Sequence, residues 1–149
     1  MELKIISEKV INGLTIRTDN ATEMNPNTGK IAALWQTFDA TVSVDYKGGE
    51  RVYGVYYSYE SDHTGKFNVL AGFDGLSFPP NLTLKKITIP AGQYLVFTHK
   101  GDMPKIAIAA WTQVWQYFAN NAAEYQRLYT TDFEYYPNGN EIEVHIAVK

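Results

Sequence analysis

The apolar residues of two helix-like segments in this chain correspond at a constant offset of 80 positions: Ile31, Trp35 and Phe38 in the first, Trp111, Trp115 and Phe118 in the second. Each trio follows a 3.6-residue period, so each marks one stripe of an amphipathic helix, and a repeated stripe points to a duplicated unit. Proline near each start, Pro26 after Asn25 and Pro104 after Asp102-Met103, predicts helices over about 26–40 and 103–121. Strand-like runs flank both. Leu3 to Val10 and Leu14 to Thr18, divided by a turn at Gly13, precede the first helix; Val52 to Glu60 and Phe67 to Phe73 follow it. Leu84 to Ile89 and Tyr94 to His99, divided at Gly92, precede the second; Asp132 to Tyr136 and Glu141 to Val148 follow it.

The reading is an α+β fold of duplicated β-β-α-β-β halves, about 1–74 and 82–149, within a single domain spanning 1–149. The proline-bearing segment Gly75 to Asn81 links the halves. Neither half has enough sheet and helix for a good core, so the two are expected to pack around a pseudo-twofold axis, with a groove between them.

A chain of 149 residues can bury roughly 70% of the surface its unfolded form exposes, so it needs no staple. The absence of cysteine excludes disulfides, thiolate metal sites and a cysteine nucleophile. A formal charge of −3 with no basic run argues against direct nucleic-acid binding. The apolar run at the N-terminus is too short for a signal peptide and nothing approaches membrane-spanning length, so a soluble, cytoplasmic protein without membrane contact is expected. Eleven tyrosines, seven phenylalanines and three tryptophans supply more ring surface than a core requires, and rings with polar tips suit adaptable binding surfaces.

Within Asp132-Phe133-Glu134-Tyr135-Tyr136-Pro137 a carboxylate lies among aromatics in what reads as an interior strand. Strand alternation puts Asp132, Glu134 and Tyr136 on one face and Phe133 and Tyr135 on the other. A carboxylate withdrawn from water raises its pKa, pairs with a base, or receives a cationic ligand. The bland alternative is a solvated edge residue or one paired with a lysine such as Lys149. If Gly54-Val55-Tyr56-Tyr57 is the repeat partner of Phe133-Glu134-Tyr135-Tyr136, Val55 faces the groove opposite Glu134 with Tyr53 and Tyr57 beside it. Of the second helix, Phe118 is assigned to the core, while Trp111 and Trp115 are candidates for the groove wall. His63, His99 and His145 are scattered without acids at ligand spacing, so no metal is expected, and Gly48-Gly49 is a hairpin turn signal that lacks the spacing of a nucleotide cradle. No cofactor is expected.

The strand Phe133-Glu134-Tyr135-Tyr136, the segment from Gly101-Asp102 through Trp111, the turn Pro90-Ala91-Gly92 before Tyr94, and the final Ile146-Ala147-Val148-Lys149 together resemble the GyrI-like (Rob C-terminal-like) effector-binding domains. These form the C-terminal ligand-binding part of AraC-type and MerR-type multidrug regulators and also occur alone, some as integron gene-cassette proteins. The resemblance covers the whole chain. It implies a curved antiparallel sheet with two main helices, and a pocket for hydrophobic, often cationic, drug-like molecules.

Glu134 matches the family's buried counter-ion, Tyr136 a pocket-lining position and Trp111 the tryptophan of the second helix. His145 stands where some drug-binding members carry a tyrosine, which places it beside Glu134, as a hydrogen-bond partner or, once protonated, a competitor of the ligand. The expected ligand-binding set is therefore Glu134, Trp111, Tyr57, Tyr136, His145, Tyr53 and Trp115. With no helix-turn-helix ahead of residue 1, the chain is expected to sense or sequester a ligand, or to regulate transcription only through a protein partner; a homodimer is a further expectation. The alternatives are a hydrolase of reactive electrophiles, with Glu134 as general base and Trp111 orienting the substrate, and a small protein that blocks a macromolecular partner.

Overall fold

The repeat takes shape as one interlocked sheet. The computed structural model describes all residues, Met1 to Lys149. Its elements are β1 (Glu2–Ile6), β2 (Lys9–Thr18), α1 (Asn20–Met24), α2 (Ile31–Thr41), β3 (Val52–Tyr57), β4 (Phe67–Phe73), β5 (Lys85–Ile89), β6 (Gly92–Lys100), α3 (Lys105–Ala119), β7 (Thr131–Asn138) and β8 (Glu141–Ala147). All eight strands join one antiparallel sheet in the order β1-β6-β8-β7-β3-β4-β2-β5, curled into a half-barrel. Exchanging β1 with β5, β2 with β6, β3 with β7 and β4 with β8 reverses this order and leaves it unchanged, which is the signature of the pseudo-twofold axis. Each half lends its first strand to the other: β1 pairs with β6, and β5 with β2. The axis runs between β3 and β7, where Gly54 is directly opposite Glu134.

Both long helices cover the same face, α2 over β2 and β4, α3 over β6 and β8. Leu34 and Phe38 pack on Val69, Ala71 and Phe73; Ile106, Ala110 and Val114 pack on Leu95, Phe97, Val144 and Ile146. Phe118 packs against the second of these cores as expected. The strands at the centre, β3 and β7, lie between the two helices, and that leaves the groove. On the other face, Ile11, Tyr53, Val55, Leu70, Tyr94 and Phe133 form a third core with no helix over it, enclosed by the curl of the sheet. No helix is long and apolar enough to cross a membrane.

Two local expectations are corrected. Gly13 is no turn: it lies inside β2, where a Cβ would run into the backbone of Ala71 and Gly72, so its role is to let β4 approach closely. The chain turns instead at Ser7-Glu8, between β1 and β2. The first helix does not start beside Pro26. A short α1, capped by Asp19 accepting from the Thr22 N–H, intervenes, and Asn25 ends it. Residue Glu23 of α1 then serves as the missing cap of α2, its carboxylate accepting from the backbone N–H groups of Lys30 at 3.0 Å and Ile31 at 3.1 Å. A carboxylate there also complements the positive end of the helix dipole.

Asp132 and Arg127 anchor the end of the second half. Asp132 Oδ2 accepts from Arg127 Nη2 at 2.9 Å and from the Tyr59 hydroxyl at 2.6 Å, while Oδ1 accepts from the Ala147 N–H at 2.9 Å. The acid is fully buried and the guanidinium nearly so. Removing one partner strands the other charge in the interior, so Asp132→Ala should cost about 3–5 kcal/mol in urea unfolding, far more than a surface pair would.

His145 lies in the helix-free core, stacked on Phe133 with ring centroids 4.2 Å apart. Burial pushes its pKa down to about 4. The unfolded chain, with an ordinary histidine, binds the proton first, so the stability contributed by the neutral ring is complete above about pH 6.5 and is lost as pH falls toward 4. The full loss is about 3 kcal/mol. Chemical denaturation at a series of pH values should show wild type losing that amount relative to His145→Leu between pH 6.5 and 4; parallel curves would refute it.

Candidate functional site

The site is built on the helix-facing side of β3 and β7. Alternation along β7 turns Glu134 and Tyr136 toward the groove, and along β3 it turns Val52, Gly54 and Tyr56 the same way. Gly54 is what makes room for the acid: a Cβ there would collide with Glu134 Oε1 and press on the Trp35 ring. The Glu134 carboxylate consequently lies over the bare backbone at the axis, 4% exposed.

Three neutral groups hold it. Trp111 Nε1 donates to Oε2 at 2.6 Å, Tyr56 OH to the same oxygen at 3.1 Å, and Tyr136 OH to Oε1 at 2.9 Å. No lysine, arginine or histidine pairs with it. Burial raises the Glu134 pKa, and the bonds from Trp111, Tyr136 and Tyr56 pull against that rise without cancelling it. The same burial, together with the nearby carboxylate, pushes the Tyr56 and Tyr136 hydroxyls well above the usual phenol range, so both remain donors.

Above the carboxylate opens a cavity of about 1180 Å³, beyond the roughly 300–1,000 Å³ of ordinary ligand pockets. One wall is Ile31 and Trp35 from α2; the other is Ala107, Ile108, Trp111 and Trp115 from α3. Trp35 meets Tyr136 edge-on at 5.8 Å, and Tyr56 meets Trp111 edge-on at 5.0 Å. Besides Glu134 and the tyrosines, the polar residues at the cavity are Asp39 near the end of α2, Arg51 just before β3, Thr112 of α3 and Asn138 at the end of β7. A second chamber of about 150 Å³ shares Ile31, Tyr56, Trp111 and Trp115 with the first and reaches Arg127. No cluster of three histidines or acids is placed to hold a metal.

Of the residues expected here, Trp111 and Tyr136 both bond Glu134, and Trp115, 46% exposed, lines the cavity. Tyr53, Tyr57 and His145 are not brought to the groove. All three lie on the opposite face: Tyr53 and Tyr57 beside Val55 in the helix-free core, His145 across from Phe133 in the β7–β8 register. His145 was placed by the family resemblance alone; for Tyr53 and Tyr57 the cause is a slip of one position. Aligning Val55 with Glu134 uses an offset of 79, whereas the helices repeat at 80, and a shift of one residue exchanges the two faces of a strand. At 80, Gly54 matches Glu134, Tyr56 matches Tyr136 and Trp35 matches Trp115. Tyr56 and Trp35, both missed by the sequence reading, were therefore signalled by the repeat itself.

An integron cassette protein from Vibrio cholerae superimposes with a TM-score of 0.90 at 42% identity, over 99% of this chain and 95% of that one. A bacterial transcription regulation protein from Staphylococcus aureus, described as putative, gives a TM-score of 0.72 at 20% identity, covering 99% and 97%. SAV2435, solved bound to tetraphenylphosphonium, gives 0.70 at 19%, covering 99% and 93%. The last two share the fold. No curated protein matches the chain significantly. Residues 2–148 match the Cass2 family, described as integron-associated effector binding protein, and the chain belongs to that family.

Proposed function

We propose that this effector-binding protein is a receptor for amphipathic organic cations, with Glu134 as counter-ion and the rings of Trp111, Tyr56, Tyr136, Trp35 and Trp115 as walls. One observation carries the proposal: a buried carboxylate, held ionisable by neutral donors alone, at the floor of a large aromatic cavity. A charge so placed is costly to maintain and gains most from an incoming cation. Each ring face adds cation–π attraction on the order of 0.5–2 kcal/mol. Neither contribution depends on ligand outline, so selection falls on charge and aromatic bulk more than on shape. The binding of tetraphenylphosphonium, a bulky aryl cation, by the structural neighbour SAV2435 supports the same chemistry here.

Tetraphenylphosphonium and neutral tetraphenylmethane derivatives of matched size, titrated by tryptophan quenching, test this reading. Glu134→Gln keeps the shape and removes the charge, and should weaken the cation by at least about tenfold, ~1.4 kcal/mol, while leaving the neutral ligand unchanged. Equal cation affinity in the variant would refute the counter-ion role, and hydrolysis of an electrophilic substrate lost in both Glu134→Gln and Trp111→Ala would transfer the pair to catalysis.

The pH dependence has a definite sign. Cation binding needs the carboxylate, and burial raises the pKa of Glu134 in the free protein. Affinity for a permanent cation should therefore fall as pH is lowered, approaching about tenfold per unit, and the fall should begin at a pH above the ordinary glutamate range. A flat profile down to pH 4.5 would count against it. Gly54→Ala should displace the carboxylate and weaken the cation by a comparable factor while the neutral analogue is retained; unchanged cation binding would show that the close approach of Gly54 does not position Glu134.

A further inference from the structure

The small chamber beside the main cavity is lined by a buried cation whose charge is answered but whose donors are not all used. Its volume is about 150 Å³, and Arg127 lines it together with the rings of Tyr59 and Phe67 and the four side chains it shares with the cavity. The Arg127 side chain is only 9% exposed. Both of its hydrogen bonds, to Asp132 and to the Tyr59 hydroxyl, are made by Nη2. Its Nε is buried and has no acceptor within the protein. A buried donor left without an acceptor is costly, and native proteins rarely tolerate one without a reason.

We propose that this chamber is a subsite for a neutral oxygen acceptor, such as a ketone or amide carbonyl, carried on a short arm of the cationic ligand and bonded by the Arg127 guanidinium. The inference rests on the cation-receptor reading and adds the ligand's second recognised element to it. The two spaces adjoin along Ile31, Tyr56, Trp111 and Trp115, and Tyr56 and Trp111 are also donors to Glu134. The chamber therefore begins one side chain away from the counter-ion. Its volume sets the length of the arm, since at roughly 30 Å³ per water-sized group it holds about five non-hydrogen atoms.

Charge decides between a neutral acceptor and an anion. Glu23 also lines the chamber and Asp132 is already paired with the guanidinium, so two carboxylates accompany one positive group, with Glu134 beyond Tyr56 and Trp111. A further anion would be repelled. A carbonyl gains a bond from a charged donor without adding charge of its own. An alkyl arm of the same shape fills the space among the rings but leaves the guanidinium donors bare.

Triphenylphosphonium bearing a 4-oxopentyl, a 4-methylpentyl or a 3-carboxypropyl arm tests this, because the three arms share one skeleton and differ only at the end. In titrations followed by tryptophan quenching, wild type should bind the ketone about fivefold tighter than the alkyl arm, and the carboxylate more weakly than the ketone. Arg127→Lys keeps a cation for Asp132 but removes the planar donor set, so it should lose most of the ketone's advantage, with a thermal melt showing that it is folded. The comparison of arms in wild type decides even where the variant is destabilised. Equal affinity for ketone and alkyl arms in wild type, a carboxylate that binds tighter than the ketone, or a ketone preference undiminished in folded Arg127→Lys would each overturn the subsite and leave the cation receptor standing. Failure of all three cations to bind, or affinity for the alkyl-armed cation that is unchanged in Glu134→Gln, would overturn the receptor and the subsite with it.

Discussion

One carboxylate lies where a perfect repeat would put two. The pseudo-twofold axis passes between β3 and β7 at the pair Gly54–Glu134, so a faithful duplication would bring two glutamates face to face in the interior. Like charges at that distance cannot both ionise, and one would be held protonated. Glycine at position 54 resolves this by removing the second acid together with the carbon that would occupy the first one's place. Symmetry supplies the frame, and the departure from symmetry at its centre supplies a single charge with space around it.

What surrounds that charge is again symmetric. Tyr56 and Tyr136 occupy equivalent positions on β3 and β7, and each donates a hydroxyl to one oxygen of the same carboxylate. Trp111 adds the third donor, where the other half has Ile31. Neutral donors lower the cost of keeping the acid ionised, yet they leave the net charge of the site at minus one. An arginine would have satisfied the carboxylate more fully and left nothing for a ligand to neutralise. The contrast is present in the same strand: Asp132, two residues earlier on the same face, has its guanidinium, its hydroxyl and its amide, and is a structural node. Two buried acids on one strand differ in what they can do because only one has been given a cation.

The repeat made the architecture legible, since the offset of the two helices already carried the equivalence of β3 with β7, though not their pairing. Glu134 was visible as an acid among rings, and Trp111 and Tyr136 through the family resemblance. His145 was placed by that resemblance alone, while Tyr53 and Tyr57 were assigned to the wrong face because a strand's two sides differ by one position, and aromatic residues occur on both: Tyr53 and Tyr57 on one side of β3, Tyr56 on the other. Hydrophobic alternation usually settles such a choice, but this sheet is buried on both faces, under helices on one and within its own curl on the other. With both faces apolar, composition has no preference and only the repeat offset decides. The mistaken turn at Gly13 has a related origin, since glycine marks close backbone approach as readily as it marks a turn.

The curl that hides the second face also fixes the first. With Tyr53, Val55 and Phe133 packed beneath them, β3 and β7 cannot flatten or slide without opening a core, so the groove side of the same strands is held to a fixed register. Every group on Glu134 other than Trp111 comes from those two strands. The rigidity of the floor is therefore set by residues that never touch the cavity, while the walls, carried on two helices that belong to different halves, rest on separate cores. That division, a fixed charge below and separately seated rings above, is what the proposed receptor would need in order to be strict about charge and tolerant of shape.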